Sequence, residues 1–368
     1  MYRVAAFTDT YLPTVNGVTY TVRTWARRWR ARGGRMDVVY PDAPQRDPDV
    51  GEYPVESLPF PFYEGFRLGV PSIPADVEGP DIVHAHTPFA LGLAARRLAG
   101  GASVPLVASY HTPTPEYASY LPGNSRIETC IRRTAAAYER WVLGGADAVV
   151  VPSEPTAAEL RERTGIEEVF VVPNGVDTER FAPADDADVR AFRRRHDLGS
   201  GTLVGYTGRH GYEKRLTEIP PAVADLDVTL VVAGDGPARE EFERSARRHG
   251  VDARFLGFLD RKELPSFYSA LSAFLFPSPV ETQGLVALEA NACGTPVVGV
   301  DAGALTETVS EGETGYRFPE GDTEGFRDAI ERTLSEKETL SRRCLDRRET
   351  VCVERSLDTL RDVYERLV

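Results

Sequence analysis

The chain has 368 residues, with 43 lysines plus arginines against 56 aspartates plus glutamates, a formal charge of −13. That length exceeds what one hydrophobic core usually organises, so two domains are expected, and 42% apolar with 27% charged residues excludes disordered and fibrous classes. The acidic balance argues against general nucleic-acid binding, and no run approaches the ~18 apolar residues of a membrane-spanning helix, so a soluble, cytoplasmic protein is expected.

Short β-branched runs recur along the chain, each followed by a Gly- or Pro-bearing turn and a longer amphipathic segment. In the first half they are Val4–Phe7, Met36–Tyr40, Ile82–His84, Pro105–Ala108, Ala148–Val151 and Val169–Val172. In the second half they are Thr202–Tyr206, Thr229–Ala233, Arg254–Leu256, Ala273–Phe276 and Pro296–Val300. Most are continuous rather than alternating, which predicts parallel strands covered by helices on both faces, and so two doubly wound α/β domains. Residues 1–172 form the first, 173–198 a linker rich in Pro, Gly and Asp, 199–345 the second, and 346–368 terminal helices with no strand after them. Only three lysines occur beside 40 arginines, a composition that suggests a salt-loaded cytoplasm or a GC-rich genome. The four cysteines show no Cys-x-x-Cys pair and no His partner at zinc spacing, so thiols are expected rather than disulfides or a metal site.

Parallel sheets bind ligands at the carboxyl ends of their strands, which directs attention to the loops there. The first, Thr8 to Val18, lacks G-x-G-x-x-G, which removes the main support for a nicotinamide or flavin enzyme. Its Asn16-Gly17 is either a tight turn or a place where the backbone approaches a ligand. In the second half, Gly208-Arg209-His210-Gly211-Tyr212-Glu213-Lys214 sets two cations beside a loop-to-helix turn, a clamp for a diphosphate or else a solvated basic loop. After Ala273–Phe276 comes Pro277-Ser278-Pro279-Val280-Glu281-Thr282-Gln283-Gly284, and then Leu285-Val286-Ala287-Leu288-Glu289-Ala290. Gly284 opens a helix, the free N–H groups at Gly284 and Leu285 suit a phosphate or sugar oxygen, and Glu289 one turn inside is costly to bury without a partner such as ribose hydroxyls.

Together with His111-Thr112, Val172-Pro173-Asn174-Gly175-Val176-Asp177, Gly234-Asp235-Gly236-Pro237 and Phe255-Leu256-Gly257, these segments resemble the retaining nucleotide-sugar glycosyltransferases of family 4 over nearly the whole chain. The version Glu281-Thr282-Gln283-Gly284, with His111 through Tyr117, is most similar to the branch that glycosylates membrane lipids, such as diacylglycerol glucosyltransferases. The resemblance implies the GT-B fold, two Rossmann-like domains facing a cleft with the C-terminal helices returning to the first. It implies that Arg209 and Lys214 neutralise the departing diphosphate, that Glu281 holds sugar hydroxyls and Glu289 the ribose, and that His111 lies near the reacting face. It further places Gly17, Gly284, Leu285, Val286, Leu256 and Arg261 on the donor and Tyr117 on the acceptor. Arg261 stands where guanine-selecting relatives carry a carboxylate, which points to a UDP-hexose donor. No Asp-x-Asp occurs in the site segments, in keeping with a metal-free reaction that needs no cofactor beyond the sugar nucleotide. A soluble or polyprenyl-linked glycan acceptor, a nucleotide-sugar epimerase, and a catalytically dead sugar-nucleotide-binding protein are the alternatives.

The acceptor expectation has a second root. Thr21 to Arg35 holds Arg23, Arg27, Arg28, Arg30, Arg32 and Arg35 and no acid, while Trp25 and Trp29 share one helical face. Trp beside Arg suits a helix lying in an anionic headgroup layer, which places the protein on the inner face of the cell membrane. The competing reading packs both tryptophans on the sheet.

Overall fold

The computed structural model describes residues 1–43, 46–59, 67–111 and 137–368. Strands without polar alternation need cover on both faces, and parallel pairing with crossover helices supplies it. The first sheet contains β1 (Arg3–Phe7), β2 (Arg35–Pro41), β3 (Glu52–Val55), β6 (Ile82–Ala85), β7 (Leu106–Ser109), β8 (Ala148–Val151) and β9 (Val169–Val171). Its order is β3-β2-β1-β6-β7-β8-β9, parallel throughout, and β4 (Ser57–Pro59) with β5 (Arg67–Gly69) makes a separate antiparallel pair. The second sheet contains β10 (Leu203–Thr207), β11 (Thr229–Ala233), β12 (Ala253–Gly257), β13 (Ala273–Phe276), β14 (Val297–Val300) and β15 (Gly315–Phe318), in the parallel order β12-β11-β10-β13-β14-β15. In each sheet the chain builds outward from its first strand and then returns to that strand's other side. The reversal falls between β1 and β6 in one sheet and between β10 and β13 in the other, which is where such folds open a crevice for ligands.

Two compact units result: Met1–Asn174 together with Val353–Val368, and Gly175–Cys352. The segment expected to be a linker, 173–198, is instead almost wholly part of the second unit. Phe181, Phe192 and Leu198 are buried there, and the Phe192 ring lies 6.2 Å from that of Phe267 on helix Leu264–Ala270. Likewise the terminal boundary falls at Val353 rather than 346, because Arg348 donates to the Thr178 and Phe181 carbonyls and Val351 packs on the second unit's core. The last helix, Val353–Glu365, lies on the first sheet with Leu357, Leu360 and Tyr364 in its core.

Helix Gly17–Ala31 follows β1, and Asn16 caps it by accepting from the Thr19 N–H at 2.9 Å. The Asn-Gly pair is therefore a helix start and not a tight turn. Val22, Trp25, Ala26 and Trp29, spaced i, i+3, i+4, i+7, form one apolar stripe against the sheet. This corrects the membrane assignment of the tryptophans. Trp25 and Trp29 are at most 1% exposed, and their indole N–H groups donate to the Asn174 carbonyl (2.8 Å) and the Tyr2 carbonyl (3.1 Å). Arg28 and Arg32 face the C-terminal helix, where Arg28 meets Glu354 and Arg32 reaches both Glu354 and Asp358. Arg27 stays on the exposed face.

Candidate active site

The second unit gathers most of the expected donor residues at its reversal point. Arg209 and Lys214 come from the loop after β10, Glu281 from the loop after β13, and Lys214 Nζ lies 2.7 Å from Glu281 Oε1. Arg209 is paired with Glu213 in the same loop. Beneath them the buried Tyr206 hydroxyl donates to the Arg209 carbonyl at 3.1 Å. Its pKa is driven up first by burial and then by the nearby charges of Glu281 and Glu213, so it stays a neutral donor.

Interlocking backbone fixes these loops. The His210 N–H donates to the Asp235 carbonyl, the Ala238 N–H to the His210 carbonyl and the Gly234 N–H to the Gly257 carbonyl, at 2.8, 2.8 and 2.7 Å. A Cβ on Gly234 would run into the Gly208 carbonyl, so the Gly234-Asp235-Gly236-Pro237 motif is glycine because two loops touch there. His210 is fully buried under this junction, and burial lowers its pKa.

Gly284 has φ +77 and caps helix Leu285–Ala292 without a side-chain hydrogen bond. No acidic residue lies in the first turn, so no carboxylate there offsets the positive end of the helix, where the Leu285 and Val286 N–H groups lie. Leu256 lies half-buried in β12. Glu289 differs from expectation. It is 3% exposed, and the protein itself supplies its partners: the Tyr268 hydroxyl donates to Oε2 at 3.0 Å and Arg261 Nη2 to Oε1 at 3.1 Å. Burial raises its pKa despite the Arg261 guanidinium. A ribose is therefore not required to satisfy this carboxylate. Arg261, expected at the base, lies over the Phe181 ring at 5.0 Å and turns its charge to Glu289.

In the first unit the reversal point is held by buried groups, a carboxylate and a set of histidines. Asp9, after β1, accepts from the Thr87 hydroxyl at 2.8 Å and from the Leu91 N–H at 3.1 Å, capping helix Ala90–Ala102 from outside; burial pushes its pKa up to about 6. His84, at the end of β6, meets the Tyr364 hydroxyl at 2.6 Å and the Ser109 hydroxyl at 2.7 Å. Its ring stacks on His86 at 4.1 Å, and His86 Nδ1 lies 3.2 Å from His111 Nε2, while Trp25 packs about 6 Å from all three imidazoles. Burial pushes His84 down to about 3, His86 well below its ordinary value, and His111 to about 4, so the stack is uncharged at neutral pH. His111 alone keeps part of its surface exposed. Among the described residues, a Cβ on Gly17 would meet no atom within 4 Å beyond its own chain neighbours and local helix backbone.

Tyr117, Thr112 and Cys130 lie outside the described residues. Among the described residues no His, Cys, Asp and Glu group could hold a metal ion, and no helix is long and apolar enough to cross a membrane. Sequence reasoning missed Asp9, His86, Glu213 and Tyr268. The first three each sit in a loop following a strand, a position that by itself was a sufficient signal.

Residues 15–180 match the family model described as Glycosyltransferase Family 4, and residues 188–347 match that of Glycosyl transferases group 1. The GDP-mannose-dependent alpha-mannosyltransferase of Mycobacterium tuberculosis is 32% identical over 348 residues, covering 91% of this chain and 89% of that protein. The alpha-monoglucosyldiacylglycerol synthase of Streptococcus pneumoniae is 28% identical over 366 residues, covering 91% and 81%. HepE of Anabaena, solved in complex with UDP and glucose, shares the fold with a TM-score of 0.78 at 18% identity, covering 100% of both chains. Two doubly wound units with this topology are a GT-B fold. The chain belongs to glycosyltransferase family 4, and it is a hexosyltransferase.

Proposed function

We propose that this hexosyltransferase moves a hexose from a UDP-linked donor to a hydroxyl of a membrane lipid or glycolipid, with retention at the anomeric carbon and without a metal. The observation that carries the donor half is the 2.7 Å contact of Lys214 with Glu281, which joins the two strand ends flanking the reversal point beside an uncapped helix N-terminus. Negative charge grows on the leaving phosphate as the anomeric C–O bond breaks. Arg209, Lys214 and the Leu285 and Val286 N–H groups meet that charge, the kind of preorganised stabilisation whose single-donor loss costs about 3 kcal/mol. Glu281 holds sugar hydroxyls, and Glu289 acts from behind, fixing Arg261 and Tyr268. The acceptor hydroxyl bonds to the anomeric carbon on the face the phosphate leaves, and its proton passes to that phosphate.

The lipid acceptor is supported by the alpha-monoglucosyldiacylglycerol synthase among the relatives and not by Trp25 and Trp29, which are core. UDP is favoured by the HepE complex, whereas the mannosyltransferase relative favours GDP-mannose. Melting-temperature shifts across UDP-, GDP- and ADP-sugars decide between them, because a ligand that binds only the folded state raises the midpoint. Radiolabel from the stabilising donor is then followed into diacylglycerol, glycolipid and soluble acceptors. Stabilisation by GDP-mannose alone overturns the UDP assignment, and label entering soluble acceptors only overturns the lipid one.

A further inference from the structure

Resting on the reading of Arg209 as a diphosphate ligand, we propose that Glu213 is a positioning residue, the built-in counter-ion of Arg209 that the donor diphosphate displaces, and that Gly211 is glycine to make room for it. The carboxylate of Glu213 folds back across the turn Tyr212–Lys214 to accept from the Arg209 guanidinium. In doing so it lies against the backbone of Gly211, where a Cβ would collide with both of its oxygens. Gly211 has φ −85 and ψ 152, a conformation open to any L-residue. The backbone therefore makes no demand for glycine, and the demand comes from the carboxylate.

Exposure separates the two partners. The Glu213 side chain is 12% exposed and that of Arg209 36%, so the anion is turned inward and the cation remains accessible from outside. One residue on, Lys214 is held by Glu281. Both cations of the site thus carry a carboxylate, and the four groups sum to zero charge. Glu281 has a task on the sugar, whereas the hydrogen bond of the Glu213 carboxylate goes to Arg209 of its own loop. An arriving diphosphate exchanges with Glu213 at Arg209, and a departing one is replaced by it. The internal anion holds the guanidinium in place and competes with bound product, trading diphosphate affinity for release.

Calorimetric titration of the full chain with UDP, GDP and ADP, and with the matching uncharged nucleosides, tests this for wild type, Glu213→Gln and Gly211→Ala. Glu213→Gln keeps an oxygen for Arg209 and removes the charge, while Gly211→Ala evicts the carboxylate from an unstrained backbone position. Both variants should bind the nucleoside diphosphate roughly fivefold tighter, the size of a partly exposed ion pair, with nucleoside binding unchanged. In turnover, kcat and KM should fall together. Equal or weaker diphosphate binding in both variants overturns the counter-ion role and leaves the donor site standing. Failure of the wild type to bind any nucleoside diphosphate overturns the donor reading and this inference with it.

Discussion

The two units reverse strand order in the same way and stitch the reversal with opposite chemistry. Between β1 and β6 the stitching is buried and uncharged at neutral pH around the stacked histidines, with Asp9 capping a helix nearby. Between β10 and β13 it is ionic, with Lys214 on Glu281 and Arg209 on Glu213. Neutral groups packed on Trp25 hold a shape, since any rearrangement would strand polar atoms away from water. Ion pairs at 12–36% exposure can exchange partners, which is what binding and releasing a charged leaving group demands. The same topology thus yields one rigid surface and one electrostatic socket.

That contrast is open to attack from either side. The largest effect is expected from Trp25→Ala, which removes a fully buried indole and its bond to Asn174 and should cost about 3–5 kcal/mol of unfolding free energy. Urea midpoints measure it, and a loss under 1 kcal/mol would mean the first reversal point is not packed as described. Lys214→Ala should act the other way round, with an unchanged melting temperature and turnover reduced about a hundredfold, equivalent to about 3 kcal/mol. Turnover within twofold of wild type would remove Lys214 from the socket.

Acid should distinguish the two regions more gently. Unfolded histidine titrates near 6.5, while His84 and His111 are held down to about 3 and about 4 by burial, so the unfolded chain binds more protons as pH drops below 6.5. Each such histidine therefore withdraws about 1.4 kcal/mol of stability per pH unit until its folded value is reached. Asp9, raised to about 6, runs opposite and offsets one histidine below pH 6. Urea midpoints should fall from pH 7 to pH 5, and His84→Asn should flatten the slope by about one proton; a midpoint independent of pH in wild type would contradict a neutral stack. Smallest of all, Arg32→Ala loses partly exposed contacts to Glu354 and Asp358 and should cost no more than about 1 kcal/mol in the same assay.

Much of this was legible in one dimension. Continuous β-branched runs marked all the interior strands of both parallel sheets, and reading the loops that follow them found Arg209, Lys214, Glu281 and Gly284. Two of the four edge strands escaped: β3 contains Pro54, and β15 alternates as Gly-Tyr-Arg-Phe with Arg317 only partly covered, so neither shows a continuous apolar run. Trp25 and Trp29 were placed on one face correctly but turned the wrong way. Val22 and Ala26 complete a four-residue stripe that only a sheet could cover, and the surrounding arginines obscured it. Long-range pairing was out of reach. Nothing near Glu289 announces that Arg261 and Tyr268, 28 and 21 residues away, will satisfy it.

The return of the chain to its first unit separates the order of synthesis from the order of assembly. Gly175–Cys352 is contiguous and has all its strands as soon as it is made. The first unit, though begun earlier, keeps part of one side of its sheet uncovered until Tyr364 arrives to bond His84 from 280 residues downstream. A nascent chain therefore carries an unfinished older half beside a finished younger one. A change anywhere in the second unit that delays its folding extends the time for which Trp29, whose ring ends 5.5 Å from that of Tyr364, faces water.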